Sequence, residues 1–153
     1  MKTSTGILLY RTIGTQLQVF LVHPGGPFWK NKDEGAWSIP KGEFEMGENP
    51  LDAAKREFEE ETGQKVDGYF IPLEPVKLKS GKVIYAWAVE GDIDANHINS
   101  NLIEIPWPPK SGKILQVPEV DRGEWFDEAT AMTKINSAQA KLVEQLAKMI
   151  EKA

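Results

Sequence analysis

Residues 42 to 63 read GEFEMGENPLDAAKREFEEETG, and no other stretch restricts the fold as tightly. Asn49 is a good N-cap, Pro50 suits the first helical position, and Gly63 suits the residue just beyond the last turn. Between them Leu51, Ala54 and Phe58 recur at spacings of three and four, the narrow apolar stripe of a helix that docks on a core. Glu57, Glu60 and Glu61 share another face, because positions i, i+3 and i+4 are neighbours on a helix. Carboxylates at that spacing repel one another and weaken an isolated helix. A divalent cation held among them removes the penalty. Hard cations such as Mg²⁺ take oxygen ligands, usually a few carboxylates with water and substrate phosphate. The plain alternative is a solvated acidic face with no ligand. Pro40-Lys41-Gly42 and Gly47 read as a loop leading into this helix.

The rest of the chain alternates strands with a few helices. Residues 4 to 10 and 17 to 22 are apolar and β-prone, and TIGTQ between them predicts a hairpin turn. Trp37-Ser38-Ile39 reads as a short strand, and 66 to 71 as another with extended chain to Leu78. Lys79-Ser80-Gly81-Lys82 is a turn before VIYAWAV, residues 83 to 89, the strongest strand pattern present. Residues 91 to 113 are rich in turn formers and read as a long loop. Segments 114 to 117 and 122 to 126 flank Pro118-Glu119-Val120-Asp121. Asp127 is placed to cap a short helix, and Ser137 to cap a last helix whose stripe is Leu142, Leu146, Met149 and Ile150. Strands interspersed with two or three helices predict an α/β fold, a mixed sheet covered on both faces.

The 153 residues predict a single domain spanning 1–153, with no repeat or linker. The first residues, MKTSTGILLYR, hold too short an apolar run for a signal peptide or a membrane span. No cysteine is present, which suits a reducing cytoplasm. Net charge is −5 without a Lys/Arg cluster, which argues against general nucleic-acid binding. A negative chain still binds polyphosphate when metal ions and a few placed cations neutralise it locally.

Gly42, five residues, Glu48, seven residues, then Arg56-Glu57-Phe58-x-Glu60-Glu61-x-Gly63 resembles the Nudix box, which fixes eight positions over 22 residues. The resemblance implies an α/β/α sandwich with a central mixed sheet and Mg²⁺ as cofactor, Mn²⁺ substituting. It implies metal ligation by Glu57, Glu60, Glu61 and an acid outside the box. Glu57 serves as ligand or base. It also implies a structural Arg56–Glu48 ion pair, with Gly42 and Gly63 holding the loop and the helix end. One position departs: an aliphatic residue is expected where Gln64 stands, and Val66 is placed to take over its packing.

The outside acid is Glu119, because Pro118 to Trp125 is similar to a stretch of diadenosine tetraphosphate hydrolases with a glutamate six residues before a tryptophan. Glu104 and Glu124 are the weaker choices. Catalytic roles therefore fall to Glu57, Glu60 and Glu119. The same members share Pro40-Lys41-Gly42 and the strand that holds Tyr85. The resemblance implies Lys41 on phosphate and Tyr85 against a base. Separately, Phe28, Trp29 and Trp107 read as loop aromatics placed to line the base pocket, Trp29 foremost. Tyr85 packed into the sheet is the alternative. His23 fits no metal or triad spacing and reads as a loop-fixing hydrogen bonder. The expected reaction is cleavage of a phosphoanhydride in a nucleoside diphosphate linked to another group, foremost a dinucleoside polyphosphate. The alternatives are a nucleoside triphosphate pyrophosphohydrolase and a non-catalytic module that senses a nucleotide. The partner is a small nucleotide, with no nucleic acid or membrane.

Overall fold

The structure is a computed structural model that describes residues 3–152. Its elements are β1 (Thr3–Ile13), β2 (Gln16–Pro24), β3 (Lys41–Glu43), α1 (Pro50–Thr62), β4 (Ile71–Pro72), β5 (Val76–Lys77) and β6 (Val83–Glu90). They continue with β7 (Leu102–Pro106), β8 (Ile114–Pro118), β9 (Val120–Asp127), α2 (Glu128–Lys134) and α3 (Ala140–Lys152).

The main sheet runs β4-β6-β1-β2-β9, with β3 added to β1 and β5 to β6. β1 and β6 are parallel and the remaining pairs antiparallel, so the sheet is mixed, as expected. β1 is apolar on both sides because both are covered. Ile7 and Leu9 join Phe20, Val22, Ala54 and Phe58 under α1. Leu8 and Tyr10 join Val19, Ile84, Leu142 and Leu146 under α2 and α3. Three layers result.

The helix over 50–62 forms as expected. Asn49 Oδ1 accepts from the Asp52 N–H at 3.1 Å, and Pro50 opens the first turn. Gly63 closes the helix at φ 75°, its N–H donating to Glu59 O at 2.7 Å. That left-handed angle strains any residue carrying a Cβ.

Four expectations are corrected. Trp37-Ser38-Ile39 makes only the isolated bridges Val22–Ser38 and Trp37–Ile135, and the strand lies at Lys41–Glu43 against Ser4–Gly6. Pro40 brings no N–H to a ladder, so regular pairing begins after it. Residues 66 to 70 are not a strand, since the chain turns at Asp67–Gly68 and only Ile71–Pro72 reach β6. The presumed loop over 91–113 holds β7, which pairs with β8 from Leu102–Pro118 to Pro106–Ile114. Last, Asn136 rather than Ser137 supplies the cap before α3, through its Oδ1 and the Ala138 N–H at 3.0 Å. The Asp127 cap on α2 forms as predicted.

Gln64 does more than fill an aliphatic position. Its Oε1 accepts from the Asp94 N–H at 3.0 Å and its Nε2 donates to Asp94 O at 2.8 Å. Val66 is partly buried against the α1-side core. The amide thus ties the end of α1 to the chain after β6, while Val66 supplies the packing.

Candidate active site

The apolar stripe of α1 fixes which way its carboxylates face. With Ala54 and Phe58 fully buried, Glu57 and Glu61 come down against the sheet edge and are buried too, while Glu60 stays on the rim. Gly42 makes room for this. A Cβ built there would fall 2.1 Å from Glu57 Cδ, so glycine is what leaves the carboxylate its present place.

Arg56 holds the outer half of the cluster. Its Nη2 lies 3.1 Å from Glu48 Oε2, which realises the expected ion pair. Its Nη1 also reaches Glu57 Oε1 at 3.0 Å and Glu60 Oε1 at 3.3 Å. The guanidinium therefore spans three carboxylates rather than Glu48 alone.

The inner half is Glu61, 4% exposed. Burial pushes its carboxyl well above the ordinary glutamate value, and repulsion from Glu119 and Glu57 adds to the rise. Lys41 opposes it with its charge and a backbone N–H hydrogen bond. Glu57 is raised by burial and by Glu60, against the pull of Arg56. Burial lowers the Lys41 ammonium, while Glu61 and Glu119 draw it back up.

Glu119 sits just before β9 and crosses to the cluster from there. Asn101 Nδ2 donates to its Oε1 at 3.1 Å, and the Asn101 N–H donates to Glu60 O at 2.8 Å. One residue of the 91–113 segment thus clips the end of α1 to the outside acid. Nothing in the spacing of Asn101 marked it. The role depends on a fold-back of the chain that the sequence pattern did not reveal.

Two adjoining cavities share Lys41 and Glu119. One, about 420 Å³, is walled by Ser4, Gly42, Glu43, Glu57, Glu60 and Lys82 as well. The other, about 120 Å³, adds Glu61 with Ser38, Ile39 and Val120. A larger hollow of about 620 Å³ lies against α2 and the Leu78–Ser80 turn, and no carboxylate lines it. Size alone would have chosen the wrong place.

A profile of the NUDIX domain matches residues 2–146. The chain belongs to the Nudix family. Solved structures agree on the fold. The Nudix domain of Shewanella oneidensis NrtR, complexed with ADP ribose, aligns at TM-score 0.68 and 18% identity, over 97% of this chain and 87% of that one. A C. elegans Ap4A hydrolase binary complex aligns at TM-score 0.65 and 17% identity, over the whole of both chains. A mutT/nudix family protein from Listeria innocua gives TM-score 0.64 at 16% identity, over 99% of this chain and 94% of that one. A curated relative, the octanoyltransferase of Myxococcus xanthus, is 32% identical over 101 residues. The match spans 66% of this Nudix chain but only a quarter of that protein's length, and nothing of its activity is carried over.

Nudix domains work with divalent ions, and the residues present fit a hard one. The donors are all carboxylate oxygens, buried at Glu57 and Glu61 and repelled by the half-buried Glu119. Among the described residues no three His, Asp or Glu side chains are drawn together closely enough to enclose an ion. Arg56 Nη1 instead bridges Glu57 and Glu60.

The structure does not bring every expected residue to this place. Tyr85 alternates with Ile84 and Ala86, so it shares the α1 side of the sheet, 40% exposed, and lines neither cavity. Trp29 packs edge-on to Phe28 and against the core under α2 and α3. Glu104 pairs across to Gln116 in the β7–β8 hairpin, and Glu124 sits opposite Leu21. His23 is fully buried as the expected loop fixer, with Nδ1 2.9 Å from Asp121 Oδ1 and Nε2 2.6 Å from Lys32 O. No helix among the described residues is long and apolar enough to cross a membrane.

Proposed function

We propose that this Nudix hydrolase cleaves a phosphoanhydride bond of a dinucleoside polyphosphate, diadenosine tetraphosphate being the leading substrate, in the cytoplasm. The observation that carries the reading is the repelling set of buried Glu57 and Glu61 with half-buried Glu119, and Lys41 lining both adjoining cavities. Repelling carboxylates of this kind need cations, and a polyphosphate chain needs the same cations. The full-length overlap with the C. elegans Ap4A hydrolase supports this substrate class.

Glu60 and Glu61 would hold the ion, Mg²⁺ first and Mn²⁺ as substitute, with Glu57 as a further ligand. Once bound, the ion polarises phosphoryl oxygens and acidifies water. Lys41 Nζ meets a phosphate oxygen as a point charge. Glu119, oriented by Asn101 through Oε1, takes the proton of the attacking water at its other oxygen. Water oxygen bonds to phosphorus as the anhydride P–O bond breaks. Arg56, Glu48, Gly42 and Gly63 position the glutamates. The whole chain acts as one Nudix domain.

The test is a side-by-side hydrolysis screen of diadenosine polyphosphates, nucleoside triphosphates and ADP-ribose with Mg²⁺ or Mn²⁺, products identified. Diadenosine tetraphosphate should give the highest kcat/KM. Glu60→Gln should lower kcat on the order of 10³-fold, the several kcal/mol that a metal's Lewis acidity supplies, with unchanged circular dichroism. Faster cleavage of triphosphates would move the substrate to that class. Nucleotide binding without turnover in saturating metal would make the domain a sensor and sink the hydrolytic reading.

A further inference from the structure

The larger acidic cavity has a wall that the hydrolytic scheme does not use. Ser4, in β1, lines it beside Lys41, Glu43 and Lys82. Ser4 is 1% exposed, and its Oγ is the one buried side-chain N or O atom without a hydrogen-bond partner among the described residues. Leaving a buried hydroxyl unpaired carries the full desolvation penalty of the group. Natural interiors rarely tolerate that unless the group has a function. Here the hydroxyl belongs to a polar cavity and sits beside a cation.

Lys82 precedes β6 and reaches Glu43 Oε2 at 3.2 Å, both side chains partly exposed. Rim pairs of this kind contribute little, so exchanging the partner is cheap. Lys41 lies close enough to Lys82 to feel its charge. Two ammonium groups and a hydroxyl donor line one cavity together with the carboxylates of Glu57, Glu60 and Glu119. A polyphosphate chain in it would meet the lysines directly and the glutamates through the metal they would hold.

We propose that Ser4 Oγ and Lys82 Nζ form an anion subsite for a substrate phosphate beyond the two that flank the bond being cut. The proposal deepens the hydrolytic reading and rests on its polyphosphate substrate. The hydroxyl donates to a phosphate oxygen, and Lys82 adds a flexible point charge. An additional phosphate contact of this kind favours chains of three or more phosphates over a diphosphate.

The experiment is isothermal titration of the full chain with inorganic tripolyphosphate and with pyrophosphate, in saturating Mg²⁺ at fixed ionic strength. Wild type should prefer tripolyphosphate by about tenfold, the worth of one hydrogen bond to a charged group. Ser4→Ala and Lys82→Gln should each cut that preference to about twofold, and Lys82→Arg should restore most of it. Ser4→Ala should keep or raise Tm, because it removes an unpaired buried hydroxyl, whereas a packing role would lower Tm. No preference in wild type overturns the subsite, as does a preference kept by Ser4→Ala or by Lys82→Gln. Turnover is read separately. A chain that binds tripolyphosphate through both residues yet cleaves no nucleotide keeps the subsite and loses the catalytic reading.

Discussion

Glu61 is the residue at which the electrostatics are most demanding. Its folded-state pKa lies above the ordinary value of 4.5. A carboxyl raised in this way binds its proton more tightly when folded, so the metal-free protein loses stability as pH climbs from 4.5 through the folded value. Glu57, also raised, acts in the same direction. In a chelator, Tm should therefore fall with rising pH over that window, and Mg²⁺ should reverse the fall at neutral pH. Glu61→Gln should flatten the pH dependence and raise the metal-free Tm by roughly 2–4 °C, about 1 kcal/mol for a chain of this size. The same variant should lose the Mg²⁺-dependent rise. Scanning calorimetry with and without chelator checks both. Asn101→Ala removes the donor that orients Glu119. We expect kcat to drop by about tenfold, as for other groups that hold a metal-site carboxylate in place, with KM little changed.

At the scale of elements, α1 matters because it turns an apolar stripe into a fixed heading for its acids. Asn49→Ala should cost about 1 kcal/mol by removing the N-cap. Its activity at saturating Mg²⁺ should stay near wild type, because the glutamates lie at the other end of the helix. Gly42→Ala behaves oppositely. The new methyl meets the Glu57 carboxyl at 2.1 Å, so that carboxylate must swing out of its place in the cluster. Mg²⁺ affinity should fall by about 10–100-fold, the usual range for disturbing the support of a metal site. Fluorescence titration with Mn²⁺ measures it. The 37–39 segment shows a related dependence on tertiary partners. It is pinned by buried Gln139, whose Oε1 accepts from the Ile39 N–H at 3.0 Å, a contact 100 residues away in sequence.

At the scale of the whole molecule the main sheet carries a core on each face, and β1 serves both. Ile7 sits under α1, whereas Leu146 sits under the sheet's opposite face. Each truncation to alanine should cost about 2–5 kcal/mol, and the two should add within about 0.5 kcal/mol because the sites share no neighbours. Urea unfolding of each single variant should remain one transition. Two separate transitions would show that the layers fold independently.

Local signals were enough for α1, the β1–β2 hairpin, β6 and the Asp127 cap, because caps, turns and periodicity act over a few residues. They were enough for Glu57, Glu60 and Glu61 too, since helical spacing alone puts these acids together. The strand at Lys41–Glu43 and the β7–β8 hairpin were not legible. Pairing energy depends on a distant partner edge, and neither three residues nor a proline-broken segment announces one. The same limit applies to the site. The amino-acid order determined a helix with clustered acids and hence a need for cations. Only the tertiary structure decided that Asn101 clips Glu119 to α1, and that Ser4 and Lys82 line one cavity with Lys41. Those are contacts between chain segments far apart in sequence, and side-chain chemistry fixes what such groups do when they meet, not that they meet.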